Sequence, residues 1–125
     1  LMYSQSEEIH VAAWPALGLV PKVVIMNAKT IMGTTSAYAA EGGMYVLAPT
    51  LVIGAEIFAE FTDTPERAEK ISLGGGATHI FDPEGQDAVP PLPHDTDGLL
   101  IAEIDLSRLR LDYFDPDPLA PVPAD

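Results

Sequence analysis

Short apolar runs separated by polar and turn-forming residues set the pattern of this chain. Ile9-His10-Val11-Ala12-Ala13 lies between Glu7-Glu8 and Trp14-Pro15, which predicts a short buried strand ending where Pro15 biases Trp14 toward extended backbone. From Lys22 to about Glu41 the residues Val24, Ile25, Ala28, Ile31, Met32 and Ala39 recur at helical spacing. Pro21 suits the first turn of that helix, Gly42-Gly43 suits its end, and Gly33 with Thr34-Thr35-Ser36 weakens its middle and leaves it open to interruption. Met44 to Val52 predicts a second strand, broken or bulged at Pro49. A helical turn or two is expected over 54–61. Thr64 as N-cap, Pro65 behind it and Glu66 in the first turn open a further helix, expected to run to Gly74-Gly75-Gly76.

Residues 77–81 predict a strand, and Asp82-Pro83-Glu84-Gly85 has the composition of a type I turn. A weaker return strand follows, then the proline-rich loop at 90–93, then a last strand from Leu99 to Leu106. Beyond Leu111, prolines 116, 118, 121 and 123 stand among acids, so 112–125 is expected to be an extended tail attached to a partial domain of residues 1–111. The order predicts an α/β layer with helices on one sheet face. Strands apolar on both faces, with only two or three helices to cover them, have the look of half a domain.

Charge narrows the functions open to such a chain. Over 125 residues, 6 Lys and Arg face 19 Asp and Glu, a formal net charge of -13. That balance argues against nucleic-acid and anionic-membrane partners. No apolar run is long enough to span a membrane. A basic-then-apolar start is missing, so a cytoplasmic location is expected. With no Cys, the chain holds no disulfide, thiolate metal ligand or cysteine nucleophile.

The remaining candidates for chemistry are sparse. His10, His79 and His94 share no zinc-ligand spacing, and no Gly-x-Ser-x-Gly elbow is present to activate a serine. Gly74-Gly75-Gly76 lacks the Lys-Ser/Thr of a phosphate loop and is expected to connect helix to strand. The acids at 82, 84, 87, 95 and 97 lack the calcium-loop pattern and are expected to form a solvated loop. Glu41, near the end of an apolar helix, should be exposed or else paired from elsewhere. Trp14, the sole tryptophan, stands where a strand meets a loop, which suits a pocket wall or a core aromatic equally.

Four stretches together resemble the nitrilases of the carbon–nitrogen hydrolase superfamily. Leu1 to Pro15, ending Ile9-His10-Val11-Ala12-Ala13-Trp14-Pro15, is similar to the segment that follows the family's Cys-Trp-Glu nucleophile motif. Tyr38-Ala39-Ala40-Glu41-Gly42-Gly43-Met44-Tyr45-Val46-Leu47 resembles its Tyr-Ala-x-Glu-Gly-x-x-Phe-Val-Leu run. Gly74 to Gly85 is similar to its Gly-Gly-Gly-x-Ser-x-Ile-x-x-Pro-x-Gly hairpin, and Asp97 to Leu106 to its Glu-Gly-Ile-Leu-x-Ala-Asp-Ile-Asp-Leu strand.

The resemblance implies the C-terminal half of an αββα sandwich from an enzyme that hydrolyses a nitrile to a carboxylic acid and ammonia. It implies a Cys nucleophile, a Glu base and a Lys that stabilises charge, with no metal or cofactor. None of those three can be assigned to a position here, so no catalytic residue is expected in the chain, and the chain alone is expected to be inactive. The start at Leu1 suggests a sequence that begins inside a longer one. Trp14 falls where the family has an aromatic near the substrate, and is the one expected substrate-binding residue. Ser36 stands where the family has Arg, and the tail diverges after Asp115-Pro116. The expected partner is a small nitrile, or an amide if the chemistry is that of an amidase or carbamoylase. A homo-oligomer or an aggregation-prone chain is expected in isolation. A truncated relative serving as a non-catalytic interaction module is the alternative.

Overall fold

The computed structural model describes residues 5–17 and 27–109. The expected onset of the long helix at Lys22, with Pro21 in its first turn, lies outside these residues, as does the tail from 112. Three short strands make one sheet in the order β1-β2-β3: β1 is Ile9–Val11, β2 Tyr45–Ala48 and β3 His79–Phe81. β1 runs parallel to β2, with His10 opposite Val46, and β3 runs antiparallel, with Ile80 opposite Leu47. The molecule is a small mixed α/β fold, the class its sequence predicts.

A parallel neighbour requires a crossover, and α1 (Ala28–Gly42) supplies it. Asn27 caps its start by accepting the Thr30 N–H at 2.9 Å, and Gly43 ends it in the left-handed region at φ 60°. The helix runs through Gly33 and the threonines without a break. Thr34 and Thr35 turn their hydroxyls onto the carbonyls of Thr30 and Ile31, so they take part in the helix instead of competing with it. Met32, Thr35 and Ala39 form its buried stripe. Met32 and Ala39, with Leu17, Met44, Val46, Ala48, Ala77 and Phe81, make up the core between helix and sheet.

Pro49 breaks the ladder as expected, but the strand expected to continue to Val52 does not resume, and the chain makes only single bridges, Trp14 with Thr50 and Ile53 with Gly74. α2 (Ala55–Phe61) and α3 (Pro65–Ala68) follow. Thr64 caps α3 and Pro65 opens it, but the helix stops at Ala68, well short of the glycines. α3 buries no residue, so no tertiary contact favours propagation beyond one turn.

Two further expectations are corrected. Leu99 to Leu106 joins no ladder among the described residues; the chain is extended and then closes in a 3-10 turn at Leu106–Arg108. Its side chains keep the strand alternation, with Leu100, Ala102 and Ile104 half-buried and Leu99 and Ile101 86% and 79% exposed. The pattern of a strand is therefore present without a neighbouring edge to pair with. The strands are also not all covered on both faces. β2 is enclosed, but Ile9 and Val11 of β1 are exposed on the side away from α1.

Candidate functional site

Trp14 continues the line of β1 beyond its last ladder residue. Its N–H donates to the Pro49 carbonyl at 2.9 Å, and its own carbonyl accepts from the Leu51 N–H at 3.3 Å. Strand alternation puts His10, Ala12 and Trp14 on one side of this segment, facing α1. There they meet Thr34, Thr35 and Tyr38, residues of a single helical face, around a cavity of about 200 Å3. The lining is almost wholly carbon, because Thr35 spends its hydroxyl on the Ile31 carbonyl. The indole Nε1 is sealed from solvent and has no hydrogen-bond partner among the described residues, so Trp14 presents an apolar surface to the cavity.

Two of the lining residues, His10 and Tyr38, join Glu7 in a three-residue cluster that sequence reading missed. Glu7 Oε1 lies 2.8 Å from His10 Nδ1, the Tyr38 hydroxyl donates to Glu7 Oε2 at 3.4 Å, and the His10 and Tyr38 rings stand 4.9 Å apart. Burial, followed by the Glu7 charge and its hydrogen bond, raises the Tyr38 hydroxyl above its ordinary value. The spacing of Glu7 and His10 could have suggested the first contact. Tyr38 lies 31 residues from Glu7, and only the β1–α1 packing brings it there.

The histidines are not brought together. His79 Nδ1 pairs with Asp87 Oδ1 at 2.7 Å and its ring stacks on Phe81, while His94 is exposed in a loop. Among the described residues no group of three His, Cys, Asp or Glu could hold a metal ion. The glycine run is a structural junction. Gly76 donates to the His94 carbonyl at 2.8 Å, and a Cβ there would come within 2.7 Å of Val52 Cγ2. Glu41 is exposed.

The acids at 82–97 are not one solvated loop. Asp82 is buried, its Oδ1 accepting from the N–H groups of Glu84 and Gln86 and its Oδ2 from Arg108. Burial pushes its carboxyl up, but the Gln86 N–H, the Arg108 guanidinium and the Glu84 N–H outweigh that and hold it below the ordinary carboxylate value. This turn docks on α1 where Ser36 Oγ donates to the Gly85 carbonyl at 2.7 Å. A Cβ on Gly85, itself at φ 76°, would lie 2.8 Å from the Ser36 carbonyl oxygen, so the approach needs glycine.

The model of the carbon-nitrogen hydrolase family matches residues 1–113. The chain belongs to the carbon-nitrogen hydrolase family. Among curated proteins it is similar to an aliphatic nitrilase of Rhodococcus rhodochrous, 38% identical over 94% of this chain and 32% of that protein. A nitrilase of Pseudomonas syringae pv. syringae is 37% identical over 94% of this chain and 35% of that protein. A cyanide hydratase of Aspergillus niger is 37% identical over 86% of this chain and 32% of that protein. The chain spans about a third of the length of the curated relatives it matches. Among the described residues, no helix of this family member is long and apolar enough to cross a membrane.

Proposed function

We propose that this chain is the C-terminal part of a nitrile-hydrolysing enzyme and forms scaffold and one wall of its substrate pocket. The reading rests chiefly on the similarity to nitrilases over nearly the whole chain. A small nitrile is the substrate, and a carboxylic acid and ammonia are the products. The chain has no Cys, so the attacking thiolate comes from polypeptide outside these 125 residues, together with the Glu base and the Lys that stabilises the tetrahedral intermediates. Trp14 touches the organic group of the nitrile, a role that suits its carbon surface on the 200 Å3 cavity. The exposed Val11, Leu99 and Ile101 favour a chain that, on its own, associates with other copies.

The test is to read the coding DNA upstream of Leu1 for an in-frame Cys-Trp-Glu, produce the protein it encodes, and measure ammonia release from aliphatic nitriles, aryl nitriles and cyanide. Turnover by the longer protein, none by the 125-residue chain, and a changed substrate ranking in Trp14→Ala are expected. An upstream frame closed by stop codons, or ammonia release by the purified 125-residue chain, would overturn the proposal.

A further inference from the structure

The extended stretch that fails to pair begins at Asp97-Gly98, the only Asp-Gly step in the sequence. Both residues are exposed, in a segment with no helix or strand. The Gly98 N–H makes no backbone hydrogen bond among the described residues, and a Cβ at Gly98 would meet nothing within 4 Å. Glycine is therefore not required here by packing or by a left-handed backbone, and no backbone hydrogen bond among the described residues ties up the Gly98 nitrogen.

The other described aspartates are held differently. Asp82 is buried, accepts from two N–H groups and precedes Pro83, which has no N–H. Asp63 is paired with Arg67 and Asp87 with His79. The Ala88 N–H that follows Asp87 is engaged with the Ile80 carbonyl. Asp105 accepts from Ser107, and Asp95 is followed by the β-branched Thr96. No hydrogen bond or ion pair restrains the Asp97 carboxyl among the described residues.

We propose that Asp97-Gly98 is a site of spontaneous backbone isomerisation to isoaspartate. The Gly98 backbone nitrogen attacks Asp97 Cγ. The N–Cγ bond forms, the Cγ–OH bond breaks, and the amide proton leaves with that hydroxyl as water, closing a succinimide. Water then opens the ring. Cleavage at Cγ restores aspartate, whereas cleavage at the main-chain carbonyl leaves the chain running through the side-chain carbon, with the original mass recovered. No oxidant, metal or enzyme takes part. The product carries an extra methylene in its backbone directly ahead of Gly98, and it displaces the 99–104 stretch relative to the anchor at Tyr45 and Asp105. Where the sequence resembles the family strand, that strand starts with Glu-Gly. The longer Glu side chain does not close the same five-membered ring readily, so the liability belongs to this chain's Asp97.

The test is to hold the purified 125-residue chain at neutral pH and body temperature for several weeks, then digest it and map the peptides. A synthetic peptide spanning 93–104 is aged alongside as the unrestrained reference. A transient species lighter by one water, then isoaspartate at residue 97 detected by enzymatic methyl transfer and by backbone fragmentation, is expected. The rate should lie within about tenfold of the peptide's, since a Cβ at Gly98 would meet nothing within 4 Å and its N–H makes no backbone hydrogen bond among the described residues. Gly98→Ala should slow the reaction by about tenfold or more, because a Cβ hinders the attacking nitrogen. Asp97→Glu should abolish it while leaving the melting profile unchanged. Denaturing digestion makes the result independent of whether the chain associates, and the outcome does not depend on nitrile hydrolysis. Isomerisation in the peptide with none in the chain, or isomerisation of the chain confined to another aspartate, would overturn the proposal.

Discussion

Arg108 Nη2 lies 3.0 Å from Asp82 Oδ2 and 2.6 Å from Glu84 Oε2, tying the closing 3-10 turn to the turn that follows β3. Close by, the Tyr45 hydroxyl donates to the Asp105 carbonyl at 3.2 Å and accepts the Asp105 N–H at 3.3 Å. These contacts anchor a segment that has no ladder of its own. Asp82→Ala removes the acceptor of two turn N–H groups as well as the Arg108 partner, and is expected to destabilise the fold by about 1–3 kcal/mol in urea unfolding. Asp82→Asn keeps one acceptor oxygen and should lose less.

The same carboxylate sets an acid limit. Its folded value lies below the ordinary 3.8, so its contribution is complete above 3.8 and is lost as pH falls through the lowered folded value. Asp105 adds an effect of the same sign, because Ser107 and then Arg108 favour its ionised form. Stability measured from pH 6 downward should therefore fall in this acid range, and Asp82→Asn should flatten that slope. A slope unchanged by the substitution would show that the acid loss arises from other carboxylates.

Trp14 carries a buried donor without an acceptor among the described residues. Trp14→Phe discards that donor and keeps much of the ring surface, so the two effects oppose one another. A change in unfolding free energy within about 1 kcal/mol is expected, against a loss of about 2 kcal/mol or more for Trp14→Ala. Parallel denaturation curves decide it; a Phe variant as damaged as the Ala variant would mean that Nε1 has a partner in solution.

Two glycines should respond in opposite directions. Gly33 lies inside α1, where an added Cβ would meet nothing within 4 Å, so Gly33→Ala should raise stability by about 1 kcal/mol through helix propensity. At Gly76 an added Cβ would stand 2.7 Å from Val52 Cγ2 and 3.1 Å from the His94 carbonyl oxygen, so Gly76→Ala should cost about 1–3 kcal/mol. Melting temperatures of the two variants, one up and one down, test both.

What could be read from the sequence was what depends on near neighbours. The Thr64-Pro65 start, the Gly43 stop and the break at Pro49 all follow from local backbone chemistry, and all are present. The contacts set by distant residues were not legible. The buried state of Asp82 depends on Arg108, 26 residues on, and the Glu7–Tyr38 contact depends on α1 crossing over β1. Leu99 to Leu106 shows the reverse failure. Its alternation is real, but a ladder requires a second backbone, which no property of the stretch itself supplies.

Self-association of this chain is a contest between two terms that respond oppositely to salt. Val11, Leu99 and Ile101 are 60%, 86% and 79% exposed, and their burial between copies would be favourable at roughly 25 cal/mol per Å2 of apolar surface. Against this stands a net charge of -13, which makes copies repel over a range of about 30 Å at 0.01 M salt but only about 8 Å at 0.15 M. Association should therefore strengthen as salt is raised, the opposite of what ion pairs between copies would give. Light scattering at fixed protein concentration is expected to show mass increasing with sodium chloride, and Leu99→Asp with Ile101→Lys is expected to suppress the increase. Because the double substitution leaves the net charge unchanged, a fall in association can be assigned to the lost apolar surface. A mass that falls with salt would place the contact on charged groups, and one that rises with salt but is unaltered by the double variant would place it on other exposed apolar residues such as Val11 or Phe61.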